Sequence, residues 1–503
     1  MSLDFSSAAV TLGAIVAAVA GGLRWLRVAQ REHYMKGSVV RFARRWWGSS
    51  VPNMILLALA IVGAIGVWWW PPIGWLSLAA LVAGPVGLSL AGTSSPLRWT
   101  GRLRRVAAVT GVFVIGIVVG AIVTGRPGWS VVGAVAIPFV VDLALAVVAP
   151  IERLISKRWV TRAASRLASS GARVVAITGS YGKTTTKGYV HHLLSGRMST
   201  VTTPASFNNR LGLARAINEH LIPGAEVFVA EMGTYGKGEI AELCEFVVPD
   251  VAVITAIGPV HLERFGSEES IVAAKREILT KASVAILNVD HPLLAEVADQ
   301  EDGRLKVIRV SGSDVAADVS VVDGILRIDG VTVGAVGPEV FGSNLAAAVA
   351  AALQSGVSGD EIALRLPTLP VTPHRRERTT SERGFVVIDD TYNSNPAGAL
   401  AALDLLSSMP GDGRRVVVTP GMVELGRRQF SENALFGKAV AARASDLLVV
   451  GRTNRRALVE GARGGAATVT VLSSRQEAVE WVRSRLGPGD AVLYENDLPD
   501  HYP

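Results

Sequence analysis

The sequence predicts an N-terminal all-α transmembrane bundle of about five helices followed by α/β domains. Three observations carry that prediction. Apolar runs of membrane-span length fill the first 150 residues, and basic residues gather in alternate loops between them. Beyond residue 173, short β-branched runs alternate with Ala- and Leu-rich helical stretches, the pattern of doubly wound parallel sheets. The composition agrees: of 503 residues, 49% are hydrophobic and only 18% charged, against roughly 25% charged in an average soluble protein. A disordered chain and a coiled coil are excluded, and a purely soluble globule is disfavoured. At roughly 150 residues per domain the length corresponds to about three domains. The single cysteine, Cys244, excludes an intramolecular disulfide and a multi-thiolate zinc site.

The five runs are Ala8–Leu23, Val51–Trp70, Ile73–Ala91, Val106–Thr124 and Trp129–Val148. A spanning helix needs roughly 20 residues, which the last four supply and the first nearly does. Trp68, Trp69, Trp70, Trp46, Trp47, Trp75 and Trp129 lie at run ends, as interfacial aromatic anchors do. Pro85 and Pro138 are expected to kink their helices. Arg24, Arg27, Arg31, Lys36, Arg41, Arg44 and Arg45 fall between the first and second runs, and Arg98, Arg102, Arg104 and Arg105 between the third and fourth. The positive-inside rule then puts the N-terminus outside and everything after Val148 in the cytoplasm. Residues 1–7 carry Asp4 and no basic residue, which argues against a cleaved signal peptide. The net charge of +7 thus reads as a topology and membrane-lipid signal. Nucleic acid is not an expected partner, because the cytoplasmic part has no Arg/Lys stripe interleaved with aromatics.

Residues 151–173 read as a basic juxtamembrane connector, 174–365 as an ATP-binding domain and 366–503 as a C-terminal domain. Strands are expected at Val174–Thr178, Glu226–Glu231, Val251–Thr255, Val284–Asn288, Phe385–Asp389, Arg415–Thr419, Leu447–Val450 and Ala491–Leu493. Lys306–Gly337 has the alternation of a small antiparallel excursion. The Pro-rich segment Leu366–Pro373 is the expected hinge, since prolines and the residues before them resist helix.

The strongest local chemistry is TGSYGKTTTK at Thr178–Lys187. An apolar strand enters a glycine turn, Gly179-Ser180-Tyr181-Gly182, and a helix follows from Lys183. Glycines let backbone N–H groups approach phosphate oxygens, and the helix N-terminus adds partial positive charge. Lys183 is placed to neutralise the outer phosphates of a nucleotide, and the Thr184 hydroxyl to ligate Mg²⁺. Two residues separate Gly179 from Gly182 rather than the four between the glycines of the usual P-loop, so the strand–turn–helix context carries the assignment. Further along come Ser206-Phe207-Asn208-Asn209, Glu231-Met232-Gly233 at a strand end, His261 in HLERFG, and Lys275 in AKREI. A carboxylate at a strand end with a histidine offers oxygen and nitrogen ligands for a divalent metal beside the phosphates. Taken singly, His261 suits a loop or cap equally well, and Lys275 a solvated helix face.

Together these clusters resemble the Mur ligase family, most closely the branch that adds D-alanyl-D-alanine to the peptidoglycan stem peptide. The matches run in family order: TGSYGKTTTK, Asn208–Asn209, EMG at Glu231–Gly233, HLERFGS at His261–Ser267, AKREI at Ala274–Ile278, SNLAAAVAAAL from Ser343, DDTYNSNP at Asp389–Pro396, and GMVELG at Gly421–Gly426. The resemblance spans Val174 to about Asp490 and implies a central P-loop ATPase domain and a Rossmann-like C-terminal domain. By that resemblance Gly179, Ser180, Tyr181, Gly182, Lys183, Thr184, Thr185 and Asn209 surround ATP. Thr184 and Glu231 ligate one Mg²⁺, and His261 a second. Lys275 matches a lysine carbamylated in many members, which lets it join the metal site. Asn344 contacts adenine, Arg375 a nucleotide phosphate and Asp390 the ribose or hinge, while Asn393 and Asn395 lie in the loop over the nucleotide.

The implied reaction is amide synthesis. A carboxylate takes the γ-phosphoryl group of ATP to form an acyl phosphate, and an amine then displaces phosphate. The implied partners are an amino-acid or peptide amine, a carboxylate acceptor that is UDP-linked or lipid-linked, and membrane lipids. The implied location is a bacterial plasma membrane, multi-pass, with the catalytic domains cytoplasmic. The sequence departs from the family in three places. Apolar spans stand where the family has a soluble UDP-sugar-gripping domain, His374 replaces the glycine before Arg375, and YENDLPDHYP replaces a lysine-glycine-serine stretch. A poly-γ-glutamate-synthetase-like ligase is the alternative, and a membrane protein with a nucleotide-sensing domain the rival from another class.

Overall fold

In the computed structural model, residues 5–89, 96–204, 207–392, 394–498 and 502 are described. The chain divides into two compact units, one within Met1–Ile155 together with the tail from Leu498, the other Ser156–Asp497.

The first unit is helical. Phe5–Arg31 and Gly101–Thr124 are each long and apolar enough to cross a membrane. Two bent pairs reach that length only if each is counted as one span: Ser38–Trp47 with Val51–Gly66, turning by 112°, and Gly128–Val135 with Ile137–Ser170, turning by 70°. The described residues therefore hold two to four candidate spans rather than the expected five. The difference falls at Ile73–Ala91, where the α-helix covers only Gly74–Ala83; its last two residues, Leu90 and Ala91, lie outside the described residues. Gly84 is extended, with φ −110° and ψ 169°, as a residue before proline prefers. Pro85 thus ends its helix rather than kinking it. The freed carbonyls are capped from the first helix, where Arg24 donates to Leu81 O at 3.1 Å, Gly84 O at 2.6 Å and Val82 O at 2.8 Å. Pro138 sits in the first turn of Ile137–Ser170, beside the 70° bend.

Within this unit Val51–Gly66 and Gly74–Ala83 form a tight hairpin. A Cβ on Gly63 would lie 2.6 Å from Ser77 N, the close approach that small residues permit between membrane helices. Asn53 ties the hairpin's feet together, donating to Val86 O at 3.4 Å and accepting from Val86 N at 2.7 Å. At its tip the Trp68 ring meets Trp129 edge-on at 5.2 Å. Gly101–Thr124 buries only Leu103, Val106, Thr110 and Ala121, leaving Val112, Ile115, Val119 and Ile122 facing outward. Apolar surface this continuous belongs against lipid or protein rather than water.

The second unit holds two sheets. The first comprises β1 (Arg173–Thr178), β2 (Thr200–Thr202), β3 (Val227–Glu231), β4 (Val251–Ile254), β5 (Val284–Asn288), β6 (Lys306–Ser311), β7 (Val319–Val322), β8 (Ile325–Ile328) and β9 (Val331–Ala335), in the order β2-β3-β1-β4-β5-β6-β7-β8-β9. Pairing is parallel from β2 through β7, so the antiparallel excursion is confined to β7–β9. The second sheet comprises β10 (Glu377–Thr380), β11 (Val386–Asp390), β12 (Arg415–Thr419), β13 (Asp446–Val450), β14 (Thr468–Leu472) and β15 (Ala491–Glu495), ordered β10-β11-β15-β12-β13-β14. Only β10 is antiparallel.

Both sheets are covered on both faces, which is why their strands read as continuous apolar runs. Along β1, Val174 and Ala176 join one core cluster while Val175 and Ile177 join another. Along β12, Val417 faces one cluster, and Val416 and Val418 the other. The expected connector is the continuation of helix Ile137–Ser170, directly ahead of β1.

Candidate active site

The site lies at the C-terminal ends of β1, β3 and β4, the edge where open α/β sheets bind ligands. β1 runs into a loop whose glycines are required by space as well as conformation. A Cβ on Gly179 would fall 2.0 Å from Thr255 Oγ1. Gly182, at φ +83°, would bring one within 2.3 Å of Asn344 Oδ1. Thr255 Oγ1 donates to Tyr181 O at 2.5 Å, and Ser180 N to Ala256 O at 2.7 Å, pinning the loop to the end of β4. Helix Lys183–Leu194 starts directly behind Gly182.

Lys183 Nζ curls back onto Gly179 O at 2.7 Å and Ser180 O at 3.4 Å. Burial lowers its pKa below the ordinary lysine value although Glu231 pulls the other way. Thr184 Oγ1 donates to Glu231 Oε2 at 3.0 Å, and Asn208 Nδ2 to Glu231 Oε1 at 3.1 Å. Lys187, one turn beyond Lys183, completes the set at 3.0 Å from Glu231 Oε2 and donates to Thr203 O at 3.0 Å. Burial alone would raise the Glu231 carboxyl, but Lys187, Lys183 and Asn208 outweigh it and hold it below the ordinary glutamate value. A hydroxyl and an ionised carboxylate 3.0 Å apart beside the phosphate loop are the donor set a hard divalent cation takes.

The asparagine pair divides its work. Asn208 reaches Glu231, whereas Asn209, expected at the nucleotide, spends its side-chain oxygen capping helix Arg210–His220 through Gly212 N at 3.0 Å. The physical reason is the N-cap position, where an Asx side chain satisfies an otherwise orphaned N–H. Ser206 and Asn393 lie outside the described residues. Lys275, on helix Glu268–Arg276, is 3% exposed rather than solvated. Among the described residues its Nζ has no hydrogen-bond or ion-pair partner. Burial first, and then Lys183, drives its pKa well below the ordinary lysine value.

His261 is the N-cap of Leu262–Phe265 at φ 65°, without a side-chain capping bond, and lies close enough to Lys183 for the charges to interact. Its Nδ1 pairs with Glu424 of the C-terminal sheet's loops, and its ring meets Tyr235 edge-on at 5.2 Å. Burial lowers its pKa despite that carboxylate.

Next to the phosphate loop opens a cavity of about 790 Å³, within the usual 300–1,000 Å³ of small-molecule sites. Tyr181, Gly182, Thr185, Asn344, Arg375 and Asp390 are among its lining. Arg375 lies over the Tyr392 ring at 4.8 Å and Arg376 over Phe341 at 5.1 Å. Burial raises the Asp390 carboxyl against the pull of both arginines. Asn395 caps helix Pro396–Ser407 through Gly398 N at 2.9 Å. At the hinge, His374 adopts φ 58° and pairs with Asp389 at 2.8 Å, with Glu377 accepting from its N–H at 3.1 Å. This is the one metal-type cluster of His, Asp and Glu among the described residues.

Lys187, Tyr235, Arg376 and Glu424 were missed as site residues by sequence reasoning, and Asn208 was noted only as half of a paired-amide motif. Lys187 and Asn208 had a signal: one is a helical turn from Lys183 on the same face, and the other belongs to the Asn208–Asn209 doublet.

The site thus has the features of a nucleotide-dependent enzyme with a cation site beside its phosphate loop. Residues 177–351 match the Mur ligase middle domain, and residues 374–494 the Mur ligase glutamate ligase domain. The chain is 33% identical over 381 residues to UDP-N-acetylmuramoyl-tripeptide--D-alanyl-D-alanine ligase of Mycobacterium leprae, covering 66% of this chain and 72% of the relative. The Bacillus subtilis enzyme of the same name is 30% identical over 340 residues, covering 65% and 73%. Among solved structures, MurF from Acinetobacter baumannii aligns with a TM-score of 0.59 at 26% identity, covering 67% of this chain and 77% of that one. MurF from Thermotoga maritima in complex with ADP gives 0.56 at 25% identity, covering 68% and 80%. The chain belongs to the Mur ligase family and is an ATP-dependent amide ligase.

Proposed function

We propose that this chain is a membrane-anchored ligase that joins a dipeptide amine of the D-alanyl-D-alanine type to the terminal carboxylate of a peptidoglycan stem peptide. The observation that carries the reading is the convergence of Thr184 and Glu231 at 3.0 Å beneath the phosphate loop, with Lys275 buried within electrostatic reach of Lys183. The likeness to the D-alanyl-D-alanine ligases supports the substrate class.

In this reading the Gly179–Gly182 backbone and Lys183 hold the ATP phosphates, Asn344 the base, Arg375 a phosphate and Asp390 the ribose side. Thr184 with Glu231 holds one Mg²⁺, and His261 with Lys275 a second; when bound, the ions supply cationic charge to the phosphate oxygens. Burial favours the neutral amine of Lys275 over its ammonium, and the neutral amine can add to CO₂, forming a carbamate and releasing one proton, so that Lys275 would become an anionic oxygen ligand. The substrate carboxylate attacks the γ-phosphorus, giving an acyl phosphate and ADP. Lys183 offsets the repulsion between the two anions as they meet. The amine then adds to the acyl carbon and phosphate leaves. Closure at the Leu366–Pro373 hinge excludes water from the acyl phosphate.

The apolar helices of the first unit serve as anchor. The basic stretches Arg24–Arg45 and Arg98–Arg105, largely taken up by helix ends, support a cytoplasmic catalytic unit, and an outward N-terminus then requires three of the two to four candidate spans to cross. In this reading the bilayer itself brings a lipid-linked acceptor to the site. The test is ADP release from detergent-solubilised protein given D-Ala-D-Ala with a UDP-linked muramoyl tripeptide, with its lipid-linked counterpart, or with glutamate alone. Turnover is expected to need both a muramoyl-peptide carboxylate and D-Ala-D-Ala, and to be faster with the lipid-linked form. ADP release that needs neither would overturn the ligase reading, and release with glutamate alone would favour the polyglutamate type.

A further inference from the structure

We infer that Glu424 is a positioning residue, carried by the C-terminal domain, that holds the His261 imidazole in the tautomer whose Nε2 is the ligating nitrogen. The inference rests on the proposed role of His261 at the second metal.

Four observations converge on it. The Glu424 carboxylate takes His261 Nδ1 with one oxygen and Arg264 Nη2 with the other, the latter at 3.2 Å. Its backbone carbonyl accepts Glu263 N at 3.3 Å. Gly426 lies so close that a Cβ there would sit 3.0 Å from Glu263 N, and Arg428 reaches Glu268 at 2.8 Å. The segment 424–428 is therefore fitted to 261–268. Finally, His261 and Glu424 both have φ 65°. Left-handed backbone is strained for a non-glycine residue, so the bond joins two strained residues that the surrounding contacts hold in place. Strain on both partners of one bond marks a built arrangement rather than a chance surface contact.

A histidine that ligates a metal through one nitrogen nearly always donates its other N–H to a carboxylate or carbonyl, which fixes ring and tautomer. Here that carboxylate comes from residues 374–494, whereas the histidine belongs to residues 177–351. Docking of the C-terminal domain and completion of the metal site then become a single event, so the site is least competent when the domains are apart.

The experiment is Mn²⁺ binding to the full-length detergent-solubilised protein with ADP, read by electron paramagnetic resonance without turnover, with folding checked by melting. Glu424→Ala is expected to weaken one Mn²⁺ site by about 10- to 100-fold, and to add nothing in a His261→Ala background. Glu424→Gln keeps an oxygen that accepts the Nδ1 proton but lacks charge, so its affinity should fall between wild type and Glu424→Ala. If Glu424→Ala does not fold, a threefold or greater loss in Glu424→Gln carries the same expectation, and unchanged affinity overturns it. Wild-type Mn²⁺ binding in Glu424→Ala, alongside a lost site in His261→Ala, would overturn the positioning role while the metal reading stands. Full Mn²⁺ binding in His261→Ala would overturn both.

Discussion

Lys187 Nζ lies 3.0 Å from Glu231 Oε2, with the two side chains only 7% and 2% exposed. This buried ion pair holds the carboxylate that also accepts from Thr184 and Asn208. Removing one member of such a pair strands a charge in a low dielectric, at a cost of about 3–5 kcal/mol. Lys187→Met should lower the melting temperature accordingly, and adding Glu231→Gln should recover most of the loss by removing the stranded charge. A single Lys187→Met variant that melts like wild type would refute the pair's structural weight.

Glu495, at the end of β15, is fully buried and paired with the Ser394 and Thr419 hydroxyls. Burial, aided by Asp390, pushes its carboxyl up to about 8 although the Thr419 bond opposes. The folded state therefore holds a proton that the unfolded chain loses near pH 4.5. The stability this contributes is whole below about pH 4.5 and is lost as pH rises through about 8. Glu495→Gln should flatten the fall of melting temperature between pH 5 and 9 and raise it at pH 8. Melting curves across that range decide it, and unchanged pH dependence would count against the assignment.

The parts of the site legible in the sequence are those that one short segment specifies. The run Val174–Thr178 into Gly179 and Gly182 allows few structures other than strand, turn and helix, and Glu231 is visible as the polar end of an apolar strand. The Glu424–His261 bond joins residues 163 apart, and no local pattern encodes a docking between two domains. Three strands escaped, among them Thr468–Leu472 at the edge of its sheet. Thr200–Thr202 has three residues, too few to show a period. Glu377–Thr380 is polar and exposed, and is a strand because β11 pairs with it. The span expected at Ile73–Ala91 failed because hydropathy registers apolar length and not the break that Gly84-Pro85 imposes.

Gly182 offers a test of the nucleotide site. An alanine there must take φ +83° and meet Asn344 Oδ1 at 2.3 Å. The loop and the asparagine at the cavity wall would have to move together. Gly182→Ala should weaken binding of a fluorescent ATP analogue at least tenfold while leaving melting within a few degrees of wild type. Wild-type affinity would show that the loop does not cradle the nucleotide.

Lys275 distinguishes a carbamate from a plain amine. The side chain is buried, has no acidic partner among the described residues, and sits beside Lys183, so its amine is held well below the ordinary lysine range. A permanently charged ammonium there would repel Lys183 and any cation, whereas a carbamate would attract both. Lys275→Ala should therefore cut ADP formation by more than about 100-fold, and short carboxylic acids, diffusing into the vacated space, should restore part of it. Bicarbonate should raise wild-type turnover and leave Lys275→Arg, whose guanidinium does not take up CO₂, unchanged. Full activity in Lys275→Ala would remove the residue from the site altogether. A loss that neither acids nor bicarbonate touch would make it a structural lysine, because only a missing carboxylate can be replaced by an added one.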